Sequence, residues 1–430
     1  MEKLVIRGGR RLSGTVAVAG SKNATLPIMA ACLLTDEPVV LHGVPRLADV
    51  ETLASVLYGL GLSSVRLPTG VMHLAVTEAG RCEADAELVR RMRASFCVLG
   101  PLVARRGYAK VAMPGGCKIG DRPVDLHLKG LAALGAEITI EHDQVIARAR
   151  RLRGAAIDLT GERGSTVTGT CNVMSAAVLA DGDTWIDGAA REPEVVDLGN
   201  FLHGLGAQID GLGTSRLHVR GVSRLGGATY RIIPDRIEAA TLMTAAAVTR
   251  GDLKLTNVRR SHLTAVISKL RQIGLTIEGD RYGVSVHGDR PFRATEIVAT
   301  PYPGVPTDVQ AQITALLSIT PGTSRVGDEV FPERFQHTAE LRRMGARIHQ
   351  AGNTATITGV PSLVGSEVTA TDLRASAALV LAALAARGET TIHQINHLDR
   401  GYEQLDKKLS AVGADIVRVS EELPQERRAA

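Results

Sequence analysis

The chain has 430 residues, which exceeds what one ordinary hydrophobic core holds and favours two domains of about 200 residues each. Hydrophobic residues make up 44% of the chain but aromatic residues only 3%, so the core must be built mainly from Ala, Val, Leu and Ile. The 50 basic and 45 acidic residues give a formal net charge of +5, a nearly balanced surface that favours a small anionic ligand over nucleic acid. No stretch approaches the ~20 apolar residues that span a bilayer, and no signal-peptide pattern follows Met1, so we expect a cytoplasmic protein without a membrane partner.

The cysteine pattern argues against two kinds of structure. The cysteines form an odd set without a CxxC pair, which disfavours both a disulfide framework and a zinc site. Any functional cysteine is therefore expected to act as a thiol. The set consists of Cys32, Cys82, Cys97, Cys117 and Cys171.

One short pattern recurs along the chain: an apolar residue, a glycine and a small or apolar residue, where a helical pattern ends and a strand pattern begins. Successive glycines are 68 to 74 residues apart. Glycine suits this place because it adopts the left-handed conformation that ends a helix before the chain turns. The pattern predicts six similar units, and their glycines are Gly61, Gly135, Gly206, Gly274, Gly345 and Gly413.

Periodicity and turn residues predict the following elements in chain order. They are a strand at 3–6, a helix at 26–34, a strand at 110–112, a helix ending near 134, a helix at 309–317, and then in the last unit a strand at 367–370, a helix at 376–386, a strand at 390–393, a helix at about 401–412 and a strand at 415–418. With one further short strand, each unit of about 70 residues reads βαβαββ.

The units predict an α/β fold of two domains with three units each. The first domain is expected at 22–232, and the second at 1–21 plus 233–420, because the first strand is expected to cross over and complete the second domain. The polar tail 421–430 is expected to be disordered. Since most residues of a repeat only pack, function is sought in the irregular segments.

The first irregular segment is 19–24, where a strand breaks at Gly20 and Ser21 before a helix. Lys22 stands beside the helix N-terminus, and both the ammonium group and the helix dipole attract anions. Ser21 is equally well explained as an N-cap.

The second irregular segment is the loop 114–127, which contains Gly115, Gly116 and Gly120 together with basic residues. A thiol in such a loop has a lowered pKa and is partly exposed, which makes Cys117 a candidate for chemistry. The spacing is not that of a phosphate-binding P-loop. An ordinary flexible loop with an incidental cysteine is the alternative.

The third feature is a set of basic and acidic side chains from different units. Arginine presents a planar fork that binds carboxylate and phosphate, so several converging arginines would define a dianionic ligand. Asp308 follows a Pro-rich turn and either caps the next helix or orients and deprotonates a hydroxyl group. The arginines in question are Arg93, Arg334, Arg374 and Arg400.

Eight motifs in order resemble those of the UDP-N-acetylglucosamine enolpyruvyl transferases, and the resemblance covers residues 3–419. The motifs are SKNA at 21–24, MRAS at 92–95, PGGC to RPVDLH at 114–127, AREPEVVD at 190–197, PDRIE at 234–238, PTD with QAQ at 306–312, TDLRAS at 371–376 and DRGYE at 399–403. The resemblance implies an inside-out α/β barrel in two domains. It implies phosphoenolpyruvate and the sugar nucleotide as substrates, with no metal and no organic cofactor.

The resemblance also implies roles for single residues. Cys117 would be the general acid and the target of fosfomycin, and Asp308 would act on the sugar hydroxyl. Lys22, Arg122 and Arg400 would hold phosphoenolpyruvate. The charged cleft would be completed by Arg93, Arg334 and Arg374, and the nucleotide sugar contacted by Asn23, Arg122, Pro123, Val124, Asp125, Leu126, Thr166, Asp308 and Val330.

Two segments depart from the family pattern. The nucleotide loop expected at 161–172 has glycine at Gly164 and a cysteine at Cys171, where basic and acidic residues are common, and Pro332 stands where glutamate is frequent. The chemistry is unaffected by these changes, but the uridine contacts are altered.

Three alternatives remain open. A sister enzyme acting on shikimate 3-phosphate is disfavoured by the cysteine of the PGGC motif, whereas a free nucleotide as acceptor fits the altered loop. An RNA-binding protein is disfavoured by balanced charge and by the small number of rings available to stack bases, namely five Phe, six Tyr and one Trp.

Overall fold

The computed structural model describes residues 2–115, 123–162, 164–280 and 283–420. The predicted left-handed glycines are confirmed, because all six have a positive φ angle, from 77° at Gly61 to 127° at Gly274. A residue with a side chain would pay about 1–2 kcal/mol in this conformation. Each glycine therefore lets a helix end and the chain turn at once into the next strand.

The strands of the described residues are short, as expected for sheets that close one small unit. In chain order they are β1 (Glu2–Arg7), β2 (Ser13–Ala17), β3 (Val39–His42), β4 (Leu62–Arg66), β5 (Met72–Val76), β6 (Tyr108–Ala112), β7 (Glu137–Glu141), β8 (Gln144–Arg148), β9 (Ala156–Asp158), β10 (Thr160–Gly161), β11 (Gly164–Ser165), β12 (Asp183–Asp187), β13 (Gln208–Asp210), β14 (Arg216–Arg220), β15 (Ala228–Arg231), β16 (Asp252–Thr256), β17 (Thr276–Gly279), β18 (Gly283–His287), β19 (Glu296–Ala299), β20 (Thr323–Asp328), β21 (Arg347–Ala351), β22 (Thr354–Thr358), β23 (Glu367–Thr369), β24 (Glu389–His393) and β25 (Asp415–Ser420).

The α-helices lie between these strands. In chain order they are α1 (Lys22–Ala31), α2 (Ala48–Gly59), α3 (Ala86–Arg91), α4 (Leu99–Arg106), α5 (Asp125–Ala133), α6 (Val167–Ala177), α7 (Pro193–Gly204), α8 (Arg236–Val248), α9 (Thr264–Ile273), α10 (Thr307–Leu317), α11 (His337–Arg343), α12 (Leu373–Ala385), α13 (Asn396–Asp399) and α14 (Leu405–Ala411). Within the described residues, no helix has the length and apolar character needed to cross a membrane.

The larger sheets repeat one topology. Their strand orders are β15-β3-β5-β4, β6-β8-β7, β13-β14-β12-β9, β17-β18-β16-β2, β19-β20-β22-β21 and β23-β24-β1-β25. Each four-stranded sheet contains one parallel pair beside antiparallel pairs. In the three-stranded sheet, a parallel bridge between Glu83 and Lys110 stands in the place of the missing strand.

The helices nearest the centre are buried on all sides, which is why they are rich in alanine. Every residue of α8 is buried, and α8, α10 and α12 pack against one another. A helix that is apolar all round belongs in a core rather than at a surface. The sheets consequently lie outside the helices, which is the arrangement expected of an inside-out α/β barrel.

Buried apolar side chains form two separate clusters. One contains residues between Ala24 and Ile233, and the other contains residues from Leu4 to Val18 and from Ile237 onward. The first strand of the chain, β1, pairs with β24 and β25 of the last unit. The two places where the chain passes between the clusters run side by side: Ser21 N–H donates to the Ile233 carbonyl (N···O 2.7 Å).

Several predicted helix boundaries are wrong. Helix α1 begins at Lys22 rather than at 26, because Ser21 Oγ caps it by accepting from Ala24 N–H (3.3 Å). Helix α12 begins at Leu373 rather than at 376 because Asp372 caps it. The last helix is shorter than predicted, since 396–404 forms α13 and a turn before α14 begins. The predicted tail 421–430 lies outside the described residues.

The unit glycines allow a matched test. Gly61 and Gly206 both have a positive φ, but a Cβ on Gly61 would lie 2.0 Å from the Glu78 carbonyl oxygen, whereas one on Gly206 meets no atom within 4 Å. Gly206→Ala should cost about 1–2 kcal/mol of unfolding free energy, and Gly61→Ala distinctly more. Urea unfolding of both variants measures this, and equal losses would show that the close contact is unimportant.

Candidate active site

Lys22 is the first residue of α1 and is buried at 7% exposure. Its backbone N–H donates to Asp235 Oδ2 (3.2 Å), and its Nζ lies 2.5 Å from Asp49 Oδ2. Burial lowers the Lys22 pKa, Asp49 opposes this, and Arg374 and Arg400 lower it further. Lys22 is therefore a buried cation whose charge depends on its neighbours.

Asp49, the second residue of α2, links Lys22 to Arg400. Arg400 Nε donates to Asp49 Oδ1 (2.8 Å), and the Asp49 side chain is only 5% exposed. Although burial raises the Asp49 pKa, the charges of Lys22 and Arg400 outweigh it and lower the pKa. Sequence reasoning missed Asp49, since an acidic residue in the first turn of a helix is common.

A second contact lies beside this ion triad. The Arg46 backbone N–H donates to Glu403 Oε1 (3.0 Å), so residues 400 and 403 both bind the segment 46–49, which contains the start of α2. That segment belongs to the first cluster of apolar side chains, whereas Leu398 and Tyr402 belong to the second. The DRGYE motif therefore joins the two halves of the molecule at the site.

Asp308 forms the second charged group. Its Oδ1 lies 3.0 Å from Arg334 Nη2 and 3.3 Å from Arg374 Nε, and its side chain is 28% exposed while both arginines are buried. Burial raises the Asp308 pKa, but Arg374 and Arg334 outweigh it and hold the pKa well below its usual range. The alternative role as a helix cap is wrong, because Pro306 is the N-cap of α10 and no side chain caps it.

Asp328 organises the loop that carries Val330. Its Oδ1 accepts from Val330 N–H (2.9 Å) and Phe331 N–H (2.7 Å), and its Oδ2 accepts from the Thr307 hydroxyl (2.6 Å). Thr307 is also bonded by Arg334 Nη1 (3.1 Å). Val330 is thus held close to the Asp308 group, and Asp328 is a further residue that sequence reasoning missed.

The remaining predicted residues lie on the first three units. Arg93 Nη2 donates to the Pro123 carbonyl (3.2 Å), which ties the start of the 3-10 helix Arg93–Val98 to the turn before α5. Val124 is the N-cap residue of α5, and Asp125 is its first residue. Asn23 is half-buried in the first turn of α1.

The predicted nucleotide loop at 161–172 is shorter than expected. Its first part is the hairpin of β10 and β11, and α6 begins at Val167, capped by Thr166, whose Oγ1 accepts from Gly169 N–H (3.2 Å). Cys171 lies inside that helix and is buried, so it is a packing residue. Gly161 and Gly164 are thus paired in β10 and β11, while the later glycine and the threonines of the segment cap or begin a largely buried helix.

The two ion-paired groups described above contain two acidic and four basic side chains, so positive charge is in excess within them. The acidic residues are Asp49 and Asp308, and the basic ones are Lys22, Arg334, Arg374 and Arg400. Such a site can bind an anion with two charged groups. Cys117 and Arg122 lie outside the described residues, and no cluster that could hold a metal ion is found within the described ranges.

Comparison with known proteins identifies the family. Residues 6–409 match the family model described as EPSP synthase (3-phosphoshikimate 1-carboxyvinyltransferase). Proteins of Methylacidiphilum infernorum and Akkermansia muciniphila, both named UDP-N-acetylglucosamine 1-carboxyvinyltransferase, are 49% and 50% identical over 97% and 98% of this chain, and over 99% and 100% of their own. The chain belongs to the enolpyruvyl transferase family.

A solved structure agrees with this assignment. The crystal structure of the enolpyruvyl transferase NikO from Streptomyces tendae matches with a TM-score of 0.88 at 26% identity, covering 98% of this chain and 99% of that one. The predicted fold class, an α/β protein of two domains with three units each, is confirmed. The ion-paired groups around Lys22 and Asp308 therefore lie in a protein with the enolpyruvyl transferase fold.

The Asp49 triad should contribute strongly to stability. Asp49→Asn would remove the negative charge that lies between Lys22 and Arg400, and breaking a buried pair costs about 3–5 kcal/mol. Asp143→Asn is the control, because its pair with Arg90 is exposed (Oδ2···Nη2 3.3 Å) and such pairs contribute at most about 1 kcal/mol. Equal losses of unfolding free energy in the two variants would contradict the assigned role.

Proposed function

We propose that the protein transfers the enolpyruvyl group of phosphoenolpyruvate to the 3-hydroxyl of UDP-N-acetylglucosamine, releasing phosphate in the first committed step of peptidoglycan precursor synthesis. The observation that carries the proposal is the convergence of Lys22, Arg334, Arg374 and Arg400 around two carboxylates. A ligand with both a carboxylate and a phosphate matches this excess of positive charge.

The choice of acceptor substrate follows the names of the relatives described above. The family model carries the name of the shikimate enzyme, but relatives that are half identical over nearly the whole chain carry the name of the UDP-N-acetylglucosamine enzyme. Phosphate release should therefore be measured with phosphoenolpyruvate and each acceptor in turn. Turnover with shikimate 3-phosphate but not with UDP-N-acetylglucosamine would overturn the proposal.

The proposed reaction is an addition followed by an elimination. The sugar 3-oxygen bonds to C2 of phosphoenolpyruvate while a proton adds to C3, which gives a tetrahedral phospholactoyl intermediate. Loss of a proton from C3 and of phosphate from C2 then restores the double bond. We assign the proton donor to Cys117 and the positions that bind phosphoenolpyruvate to Lys22, Arg122 and Arg400.

Asp308 fits the role of acting on the sugar hydroxyl. Its two arginines keep it ionised, so it is always able to accept a hydrogen bond from a hydroxyl group. The same low pKa makes it a weak base, which favours orienting the hydroxyl and receiving its proton only as the new bond forms. The proposed nucleotide contacts are Asn23, Pro123, Val124, Asp125, Leu126, Thr166 and Val330.

We further propose domain boundaries at 22–232 and at 1–21 plus 233–420. The two apolar clusters and the pairing of β1 with β24 and β25 support this division. We propose that the reaction takes place in the cytoplasm and that fosfomycin inhibits the enzyme at Cys117.

The proposed general acid can be tested with two substitutions. Cys117→Ser should lose most turnover and escape alkylation by fosfomycin, because a hydroxyl group is a much weaker acid than a thiol. Cys117→Asp should stay active yet resist fosfomycin, since a carboxylic acid can also donate the proton. Cys82→Ser is the control: Cys82 is only partly buried, and its loss should change neither turnover nor inhibition. Full activity of Cys117→Ser would refute the assignment.

Asp308→Ala should damage turnover far more than nucleotide binding, because the interaction matters chiefly as the proton leaves. We expect a loss of about 100-fold or more in single-turnover rate. Asp85→Ala is the control, since Asp85 is a true N-cap that accepts from Leu88 N–H (2.9 Å) and should cost about 0.5–2 kcal/mol of stability without slowing the enzyme. A destabilised but fast Asp308→Ala enzyme would contradict the proposed role.

A further inference from the structure

A tyrosine hydroxyl is buried where three units of the second cluster meet. Tyr402 is 2% exposed, and its hydroxyl lies 2.9 Å from Thr241 Oγ1 and 3.0 Å from Gln312 Nε2. These partners belong to α8 and α10, whereas Tyr402 follows α13. A buried hydroxyl costs free energy unless it is hydrogen-bonded, so a phenylalanine would be the simpler residue if packing were the only requirement.

The polar groups around Tyr402 form one hydrogen-bonded cluster. Gln312 Nε2 lies within hydrogen-bond distance of the Tyr402 hydroxyl, of Thr241 Oγ1 (3.2 Å) and of the backbone carbonyl of Asp308 (2.9 Å). The Tyr402 and Thr241 hydroxyls are hydrogen-bonded to each other with either one as the donor, and Thr241 Oγ1 also lies 2.9 Å from the Ile237 carbonyl oxygen. The first turn of α10, which carries the Asp308 carboxylate, is thereby connected to Tyr402.

The ring of Tyr402 contacts the other half of the Asp308 group. The Arg374 guanidinium lies over this ring, with Cζ 5.3 Å from the ring centroid, while Arg374 Nε faces Asp308 Oδ1. Such a cation–π contact is stronger when the cation is desolvated, and the Arg374 side chain is only 2% exposed. Tyr402 thus touches the arginine by its ring and the backbone of Asp308 through Gln312.

The chain around Tyr402 is fitted closely to the same arginine. A Cβ on Gly401 would lie 2.5 Å from Leu373 Cδ1, so a larger residue here would require the side chain of Leu373, the residue before Arg374, to move. Arg400, the residue before Gly401, contacts Asp49. Because only Gly401 separates Arg400 from Tyr402, the position of Tyr402 also affects the position of the Arg400 backbone.

We propose that Tyr402 is a positioning residue for the transfer reaction. This inference rests on the function proposed above. It acts through Arg374 and Asp308: its ring and hydroxyl fix the guanidinium and the first turn of α10 relative to each other. A carboxylate that must meet a substrate hydroxyl in one geometry loses rate when its support becomes loose, even if the substrate still binds.

The test is Tyr402→Phe, which keeps the ring beneath Arg374 and removes only the hydroxyl. We expect kcat to fall about tenfold while the KM values for phosphoenolpyruvate and UDP-N-acetylglucosamine change less than threefold. Tyr58→Phe is the matched control, because Tyr58 is 70% exposed and its variant should behave as the wild type. An unchanged kcat with a lowered melting temperature would show that Tyr402 only packs, and would overturn the proposal.

A double-mutant cycle tests the route of the effect. In the Asp308→Ala background, Tyr402→Phe should lower the residual single-turnover rate by less than twofold, because the carboxylate that the Tyr402 hydroxyl helps to position is already gone. A second full tenfold loss would mean that Tyr402 acts elsewhere, and the proposal would fail.

The same four proteins separate this inference from the proposed function. Their unfolding free energies give a second cycle that needs no turnover, and additive effects in it would refute the coupling between Tyr402 and Asp308. Wild-type protein that releases no phosphate with either acceptor would refute the proposed function alone. An active wild type with an unaffected Tyr402→Phe would refute the positioning role alone.

Discussion

The arrangement of the site depends on pairing buried cations with carboxylates. Lys22 and Arg374 are almost fully buried, and an isolated buried charge costs many kcal/mol unless it is paired. Asp49 and Asp308 provide the pairing, each between two basic side chains. Because each carboxylate lies between two basic side chains, each of these ion-paired groups carries more positive than negative charge, which attracts an anionic ligand.

Helix geometry adds to this effect. Lys22 is the first residue of α1 and Arg374 the second residue of α12, positions at which the helix dipole disfavours a positive side chain. Carboxylates also accept hydrogen bonds from the backbone N–H groups at these helix ends: Asp235 accepts from Lys22 N–H, and Asp372 accepts from Arg374 N–H (2.8 Å). A phosphate or carboxylate bound beside Lys22 and Arg374 would offset the unfavourable interaction of these cations with the helix dipoles.

The fold was predictable because its main constraint is local. A glycine that must adopt positive φ at the end of a helix leaves a visible trace, and six such glycines at regular intervals defined the units. The candidate cations were visible as well, since Lys22 and Arg400 stand in segments that break the repeat. Asp49 was not, because its role comes from a partner 351 residues away, and an acidic residue in a first helical turn has a commoner explanation. Asp308 was ambiguous for the same reason, and the structure decides against the cap because Pro306 is the N-cap of α10 and Asp308 pairs with Arg334 and Arg374.

The segment 400–403 shows how the core and the site are connected. Arg400 and Glu403 face the segment around α2, whereas Tyr402 between them points into the centre of α8, α10 and α12. Four consecutive residues thus contact both halves of the molecule. Lys22 and Asp49 lie on one half of the molecule, whereas Arg400 lies on the other. The Asp49 triad can therefore form only when the two halves are close, and the charge balance of the site depends on the distance between them. A bound dianion that replaced part of the Asp49 pairing would weaken one of the contacts that join the two halves, so the charge of the ligand is physically linked to that contact.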